Sequence, residues 1–472
     1  MMMILKIALR NIRRNVRRSS MTISAIAVGA MAMLLFGAFM AYMVIGFQTN
    51  TVENSGHLTV FKKGYFAFGT GNPAPYGIAG YGDLARMFRA DPVLGPMVKV
   101  VTPTVTLFGI AGNFAVDASK TFFGIGIVPS DREVMHRWNE YHLTGRPHPP
   151  IPFSDDQINR GIVGVGLARI LGLCASLHIA DCPAPPTAEA AAEGAGKGAP
   201  AGERRDFSAL VGQDAAPAAA ATEAVLPCID LLAATAGGAP NVVSLFVMRA
   251  EPQGFKELDD NYVAMNLKLA QELLYGRGEP KVTSLVLQLH RTEDIGAARR
   301  RLLDLFRQRN LDLEVHDFTE LTPMYKQVIG LFGSIFVFIA VIMGVIVLFT
   351  VVNTMSMSVM ERTNEIGTAR AMGVRRSGVR RQFVAEGSAL GVIGATAGVA
   401  LAALAAAGVN RMDLHWMAPG MAEPIPLHLL LSGVWVLIAA TWLGLVAVAT
   451  LAALIPASRA ARMPVVDALR HV

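Results

Sequence analysis

Four apolar stretches, about Met21–Phe47, Val328–Val352, Phe383–Val409 and Leu429–Ile455, limit what this chain can fold into more than any other feature. Each is long enough to cross a bilayer, which takes roughly 20 apolar residues per helix. Lipid offers no hydrogen bonds to the backbone, so a single spanning segment has to satisfy its own N–H and C=O groups and is expected to be a helix. The first stretch is read as a retained span rather than a cleaved leader. Its apolar run is about twice the roughly 7–15 residues of a signal core, and no small-x-small site closes it. Between the first two stretches lie residues 48–327, enough for one sizeable or two small domains. With 53% hydrophobic residues, the chain is too apolar for an ordinary soluble protein and too mixed for a bundle of membrane helices alone. The expected fold is a four-helix membrane α protein with an α+β domain between helices 1 and 2.

The cations give the orientation. Residues 1–20 carry Lys6, Arg10, Arg13, Arg14, Arg17 and Arg18 with no acid, and residues 353–382 carry six arginines against two glutamates. The tail, 456–472, has Arg459, Arg462 and Arg470, whereas the loop 410–428 has Arg411 against Asp413 and Glu423. The positive-inside bias then places both termini and residues 353–382 in the cytoplasm, and residues 48–327 outside. At 100° per residue, Ile4, Leu5, Ala8, Leu9, Ile12 and Val16 share one arc of an N-terminal helix, and the arginines share the other. Arg10, Arg13, Arg14, Arg17 and Arg18 are therefore expected on an anionic membrane surface. The net charge of +6 is a topology effect, and no nucleic-acid partner is inferred from it.

In the outer domain, His57–Phe61, Val98–Gly126, Val242–Arg249, Val282–His290 and Leu313–His316 read as strands. Tyr262–Leu274 and Glu293–Asn310 read as helices, and Gly161–Gly172 as a strand turning into a short helix. Residues 184–224 collapse to Ala, Gly, Pro and Glu and are expected to be a disordered insertion. Cys182 and Cys228 bracket this insertion and are candidates for a disulfide at its base, with Cys174 left over; other pairings stay open. His136, His142 and His148 lie six apart in a proline-rich stretch without metal-ligand spacing and read as solvated; no metal or other cofactor is expected on this chain. The sequence has no complete phosphate-binding G-x-x-x-x-G-K-[ST]; GAGKG at Gly194–Gly198 sits in the insertion and lacks the flanks such a loop needs. No H-E-x-x-H, C-x-x-C or G-x-S-x-G occurs, and no catalytic residue is assigned.

The segment Glu361–Gly373, ERTNEIGTARAMG, lies between the second and third spans. It reads as a short helix stopped by Gly373, with Ser377 capping the next one. Glu361, Glu365 and Arg370 would project from it, Ile366 and Ala371 would offer apolar knobs, and Gly367 would admit another backbone. Such an element suits docking into a cytoplasmic partner whose motion pulls on the spans. Glu386, just inside the third span, is expected to pair with Arg380 or Arg381 near the interface.

ERTNEIGTARAMG resembles the coupling segment of FtsX-like ABC permeases, a family that includes MacB-type efflux and lipoprotein-releasing permeases. The resemblance rests on Glu361, Arg362, Glu365, Ile366, Gly367, Arg370, Ala371 and Gly373. Pro456–Arg470, PASRAARMPVVDALR, resembles the family's C-terminal ending, and ALRNIRRNVRRS its start. The resemblance implies a permease without its own ATPase, in the bacterial inner membrane. It implies a cytoplasmic ABC ATPase as partner, with ATP and Mg on that subunit, and a second permease copy or a paralogue. It further implies a periplasmic adaptor or lipoprotein as partner of the outer domain, and transport of a lipidated or hydrophobic substrate. Efflux through an adaptor and signalling to a periplasmic enzyme are the alternatives.

Overall fold

A computed structural model describes residues 2–141, 148–179, 182, 226–235, 237–276, 278–417, 424–431 and 434–465. The insertion read at 184–224, His142 and the end of the tail lie outside these residues. In chain order the main helices are α1 (Met2–Arg14), α2 (Val16–Ser55), α3 (Tyr81–Ala90), α4 (Pro129–His136), α5 (Val165–Ile170) and α6 (Leu267–Tyr275), followed by α7 (Ile295–Gln308), α8 (Pro323–Glu361), α9 (Thr363–Ala371), α10 (Arg376–Arg411) and α11 (Trp435–Arg462). The strands are β1 (Leu58–Lys62), β2 (Val98–Asn113), β3 (Ala118–Ile127), β4 (Arg160–Gly164), β5 (Cys228–Ala234) and β6 (Pro240–Glu251), then β7 (Tyr262–Asn266), β8 (Ser284–Leu289), β9 (Leu313–Asp317) and the short pair β10 (His415–Trp416) and β11 (Ile425–Pro426). The chain divides into a membrane unit, falling within residues 1–50, 322–418 and 424–472, and a sheet unit within 51–321.

Among the described residues, four helices of the membrane unit are long and apolar enough to cross a bilayer: α2, α8, α10 and α11. Their close packing rests on small residues. A β-carbon at Gly387 of α10 would collide with Ala453 of α11, and one at Gly398 would collide with Ala30 and Ala27 of α2. Lipid supplies no hydrophobic drive for helix association, so close approach and dispersion have to hold the bundle. Hydroxyls tie neighbouring helices: Thr22 to Thr354 at 2.7 Å and Ser388 to Thr450 at 2.9 Å. Much of α8 instead turns Val337, Phe338, Val341 and Phe349 outward. Helix α1 packs against α10; its Ala8 is fully buried, and Ile12 joins the apolar cluster of the membrane unit. Val16, expected on that apolar arc, is 61% exposed, because the helix is interrupted at Asn15 and Val16 opens α2.

The sheet unit holds one nine-stranded sheet among the described residues, ordered β3–β7–β4–β6–β5–β2–β8–β1–β9. Strand β2 is 16 residues long and works in two places. Its first half pairs with β8, giving the antiparallel order β2–β8–β1–β9. Here β1–α3–β2 and β8–α7–β9 form two interlocked split βαβ units, the ferredoxin-like arrangement. Leu58, Val60, Leu285 and Leu287 point to the face covered by α3 and α7, meeting Phe88, Leu302 and Phe306. The second half of β2 pairs with both β3 and β5. Pairings β3–β7, β7–β4, β4–β6 and β6–β5 then close the strands into a barrel. Leu107, Phe122, Leu231 and Met265 fill its core with Leu167 of α5 and Leu273 of α6. Closure leaves these strands no free edge.

Three expectations change here. Tyr262–Asn266 is a strand, not the start of a helix; it pairs in parallel with β3, and Asn266 then caps α6 by accepting from the Lys268 N–H at 3.0 Å. The disulfide joins Cys174 to Cys182, whose Cα atoms are 6.2 Å apart, so the Cys182–Cys228 pairing does not form. The two partners lie eight residues apart on the same side of the insertion, whereas Cys228 is an exposed thiol at the start of β5. His136 is not a solvated loop residue: it ends α4, stacks on His148 at 4.4 Å, and is held to a pKa of about 3 chiefly by burial.

Candidate functional site

The ERTNEIGTARAMG segment is built by two breaks in helical geometry. Helix α8 runs to Glu361, and Arg362 leaves the helical region at φ −106°, ψ 19°. The Thr363 hydroxyl donates back to the carbonyls of Met360 (2.8 Å) and Val359 (3.2 Å), and α9 starts there. At the far end Gly373 takes φ +97°, a conformation costly for any side chain. Its N–H bonds the Arg370 carbonyl, and the Val374 N–H bonds that of Ala369, both at 3.1 Å. This is a Schellman stop, and it satisfies carbonyls the helix end would leave open. Helix α10 is then capped from Arg375, in extended conformation, and not from Ser377, which lies inside the helix.

Half of the segment faces inward. Arg362 and Glu386 form an ion pair at 3.2 Å, with only 5% and 4% of each residue exposed. Asn11 of α1 also reaches the Glu386 carboxylate. The partner of Glu386 is thus Arg362 and not Arg380 or Arg381, which are exposed on the first turns of α10. The second terminal nitrogen of Arg362 has no hydrogen-bond partner among the described residues. Ile366 and Gly367 are buried as well, so neither is an outward knob or gap. Arg370 donates from Nη1 to the carbonyls of Ala461 and Met463, both at 3.0 Å. These oxygens belong to the end of α11, where unpaired carbonyls and the helix dipole favour a cation.

The other half faces out. Glu365 of α9 pairs with Arg14 at 2.8 Å and Glu361, the last residue of α8, pairs with Arg18, so two of the five expected membrane-surface arginines are engaged by this segment instead. Arg10, Arg13 and Arg17 are exposed. From the last residue of α9 to the first of α10, Ala371, Met372, Gly373, Val374, Arg375 and Arg376 form one exposed turn, with Met372 77% exposed. Met372, Val374 and Arg375 were not singled out from sequence. The signal that marks them is Gly373 itself, whose left-handed stop ends α9 and leaves a short connection before α10.

A rigid short helix, pinned by buried charge on one side and ending in an exposed apolar and cationic turn, sits between two helices of membrane-spanning length. Residues 337–465 match the family described as FtsX-like permease C-terminal. This chain carries an FtsX-like permease domain. Over 137 residues the chain is 30% identical to the macrolide export ATP-binding/permease protein MacB of Escherichia coli, covering 29% of this chain and 21% of that one. It is 27% identical over 177 residues to the pyoverdine export ATP-binding/permease protein PvdT of Pseudomonas entomophila, 37% of this chain and 26% of that one. An uncharacterized ABC transporter permease of Methanocaldococcus jannaschii is 28% identical over 153 residues, 31% of this chain and 37% of its own. The matched part is thus about a quarter of each exporter's length. The permease domain contains α9 and both of its inward anchors, Glu386 and the end of α11.

Proposed function

We propose that this chain is the permease subunit of an ABC exporter in a bacterial inner membrane, passing motion from a separate cytoplasmic ATPase to its sheet unit outside. The observation that carries this is the α9 segment: a short helix, fixed to α10 and α11 by Arg362 and Arg370, with the exposed turn Ala371–Arg376 at its end. A lever needs stiff attachment to what it moves and an accessible end for what drives it. Two inward arginines supply the attachment, and Met372 and Val374, flanked by Arg375 and Arg376, supply an end that suits an apolar cleft with an acidic rim. The excess of cations beside the spans supports a cytoplasmic position for this turn and both termini, and a second permease would complete a dimer on two ATPase copies.

The cargo in this reading is hydrophobic or lipidated. Relatives named for macrolide and pyoverdine export favour efflux over lipoprotein release. The test is co-purification with the ATPase from native membranes. Met372→Asp combined with Arg375→Glu is expected to cut ATPase recovery at least tenfold, a loss of about 1.4 kcal/mol or more, while the chain stays inserted. Unchanged recovery and unchanged ATPase stimulation would refute the docking assignment. Whether the complex captures adaptor or lipoprotein then separates efflux from lipoprotein release.

A further inference from the structure

The sheet unit holds a partly open cavity of about 300 Å³ that the coupling reading does not use. Its floor is the sheet face opposite α3 and α7. Along β1, β2 and β8, residues alternate, and the register sets Thr59 beside Val286, Phe61 beside Ser284, Thr102 beside Val286 and Thr104 beside Ser284. One face is therefore leucine and valine packed on helices, and the other is hydroxyls mixed with Phe61 and Val286. Ile125 of β3 and Arg132 and Met135 of α4 close over it.

Arg132 is the anomaly. It is 7% exposed and lines the cavity, and among the described residues it has no ion-pair partner. Its Nη1 donates to the Asn54 carbonyl. Glu251, which acts on it from a distance, is engaged by Arg249, with Nε to Oε1 at 2.8 Å. Adjacent Asp131 accepts from Thr102, and burial raises its pKa toward the neutral form. A guanidinium removed from water without a contacting ion-pair partner is costly, so an anion reaching it would be bound strongly. The Thr104 hydroxyl adds a donor without adding charge, whereas those of Thr59 and Thr102 already donate to the Ser55 carbonyl, at 3.4 Å, and to Asp131.

We propose that this cavity binds a small amphiphilic anion, its carboxylate or phosphate group against Arg132 and its hydrocarbon part against Phe61, Ile125 and Val286. The size is at the lower end of small-molecule sites, which suits one short chain or ring with one acidic group. The inference rests on the sheet unit alone and does not depend on the coupling segment.

The experiment uses the full chain in lipid nanodiscs, with empty nanodiscs as background, and radiolabelled octanoate as probe. Unlabelled octyl phosphate, octan-1-ol and inorganic phosphate serve as competitors. Saturable binding of one octanoate per chain is expected, with octanol at least tenfold weaker because it lacks the charge that strengthens the hydrogen bond. Arg132→Met should weaken octanoate about tenfold or more, Arg132→Lys should keep the preference for octanoate over octanol, and Val286→Phe, which fills the space, should abolish binding. Octyl phosphate competing better than octanoate would assign the headgroup as phosphate, and the reverse as carboxylate. No saturable binding above empty nanodiscs, equal competition by octanol, or inorganic phosphate matching octyl phosphate would each overturn the proposal. If Arg132→Met fails to fold, the octanol comparison on the native chain and the Val286→Phe result decide.

Discussion

In the sheet unit, the sites that bring elements together are filled by Phe88, Leu287, Leu302 and Phe306; in the membrane unit the corresponding sites on α10 are Gly387, Gly391, Gly394 and Gly398. The contrast follows from solvent. Water drives large apolar side chains together and rewards each by about 1.5–3 kcal/mol for full burial, so the sheet unit gains by size. Lipid is as apolar as leucine, so the membrane unit gains only by closeness, and small residues give that. Polar groups differ in the same way. The sheet unit buries Asp91 but leaves its partner Arg301, at 2.6 Å, a quarter exposed, whereas the membrane unit buries both Arg362 and Glu386 where α8, α9 and α10 meet. Buried there, the pair fixes one arrangement of α9 at the expense of desolvation.

Removing one member of the buried pair should give the largest effect. Glu386→Gln leaves Arg362 uncompensated and is expected to cost about 3–5 kcal/mol, read as unfolding of the membrane unit in detergent. An effect under about 1 kcal/mol would mean that water reaches the pair. Next comes the sheet core: Leu287→Ala should cost about 2–5 kcal/mol, measured by hydrogen exchange of β1 and β8 in urea. Gly398→Leu should disrupt the α2–α10 contact by about 1–3 kcal/mol, although it adds apolar surface. A stabilised variant would break the contrast drawn above.

The next prediction concerns pH and belongs to the sheet unit. His57 is fully buried; its Nδ1 accepts from the Leu289 N–H at 3.0 Å and its Nε2 lies 3.3 Å from the Thr292 hydroxyl, which donates to Glu140 at 2.7 Å. An Nδ1 that accepts cannot carry a proton, and burial holds the pKa down to about 3 from an ordinary 6.5. The unfolded chain takes up the proton first, so this stability is complete above about pH 6.5 and is lost as pH falls toward 3. His136 adds the same sign. Hydrogen exchange of β8 across this range is the check, and His57→Gln should flatten the slope. The smallest effect is expected from Glu365→Lys, whose pair with Arg14 is exposed on both sides: about 0.5 kcal/mol of stability at most, by thermal unfolding.

The apolar stretches and the ERTNEIGTARAMG helix were legible because each is a local pattern: a run of apolar residues, then a glycine stop. Strand β7 was misread because YVAMNLKLA has no break between its strand and its helix. Asn266 changes one into the other by capping α6, and only pairing with β3 shows why the strand is needed. The partners of Glu386 and Cys182 were also misassigned. In each case several partners were compatible with sequence distance, and the one chosen depends on where the chain brings them in space.

Sequence alone determined which segments are helices of membrane length, where their cations lie and which short helix stands between two of them, since solvent preference and helical periodicity act residue by residue. Tertiary structure alone decided that Ile366, Gly367 and Arg362 face inward, that Arg14 reaches α9 and Arg18 the end of α8, that β2 serves a barrel and an open sheet at once, and that Arg132, beside a cavity, has no ion-pair partner among the described residues. Those outcomes depend on contacts between residues far apart in the chain, which packing and the pairing of buried charge select together.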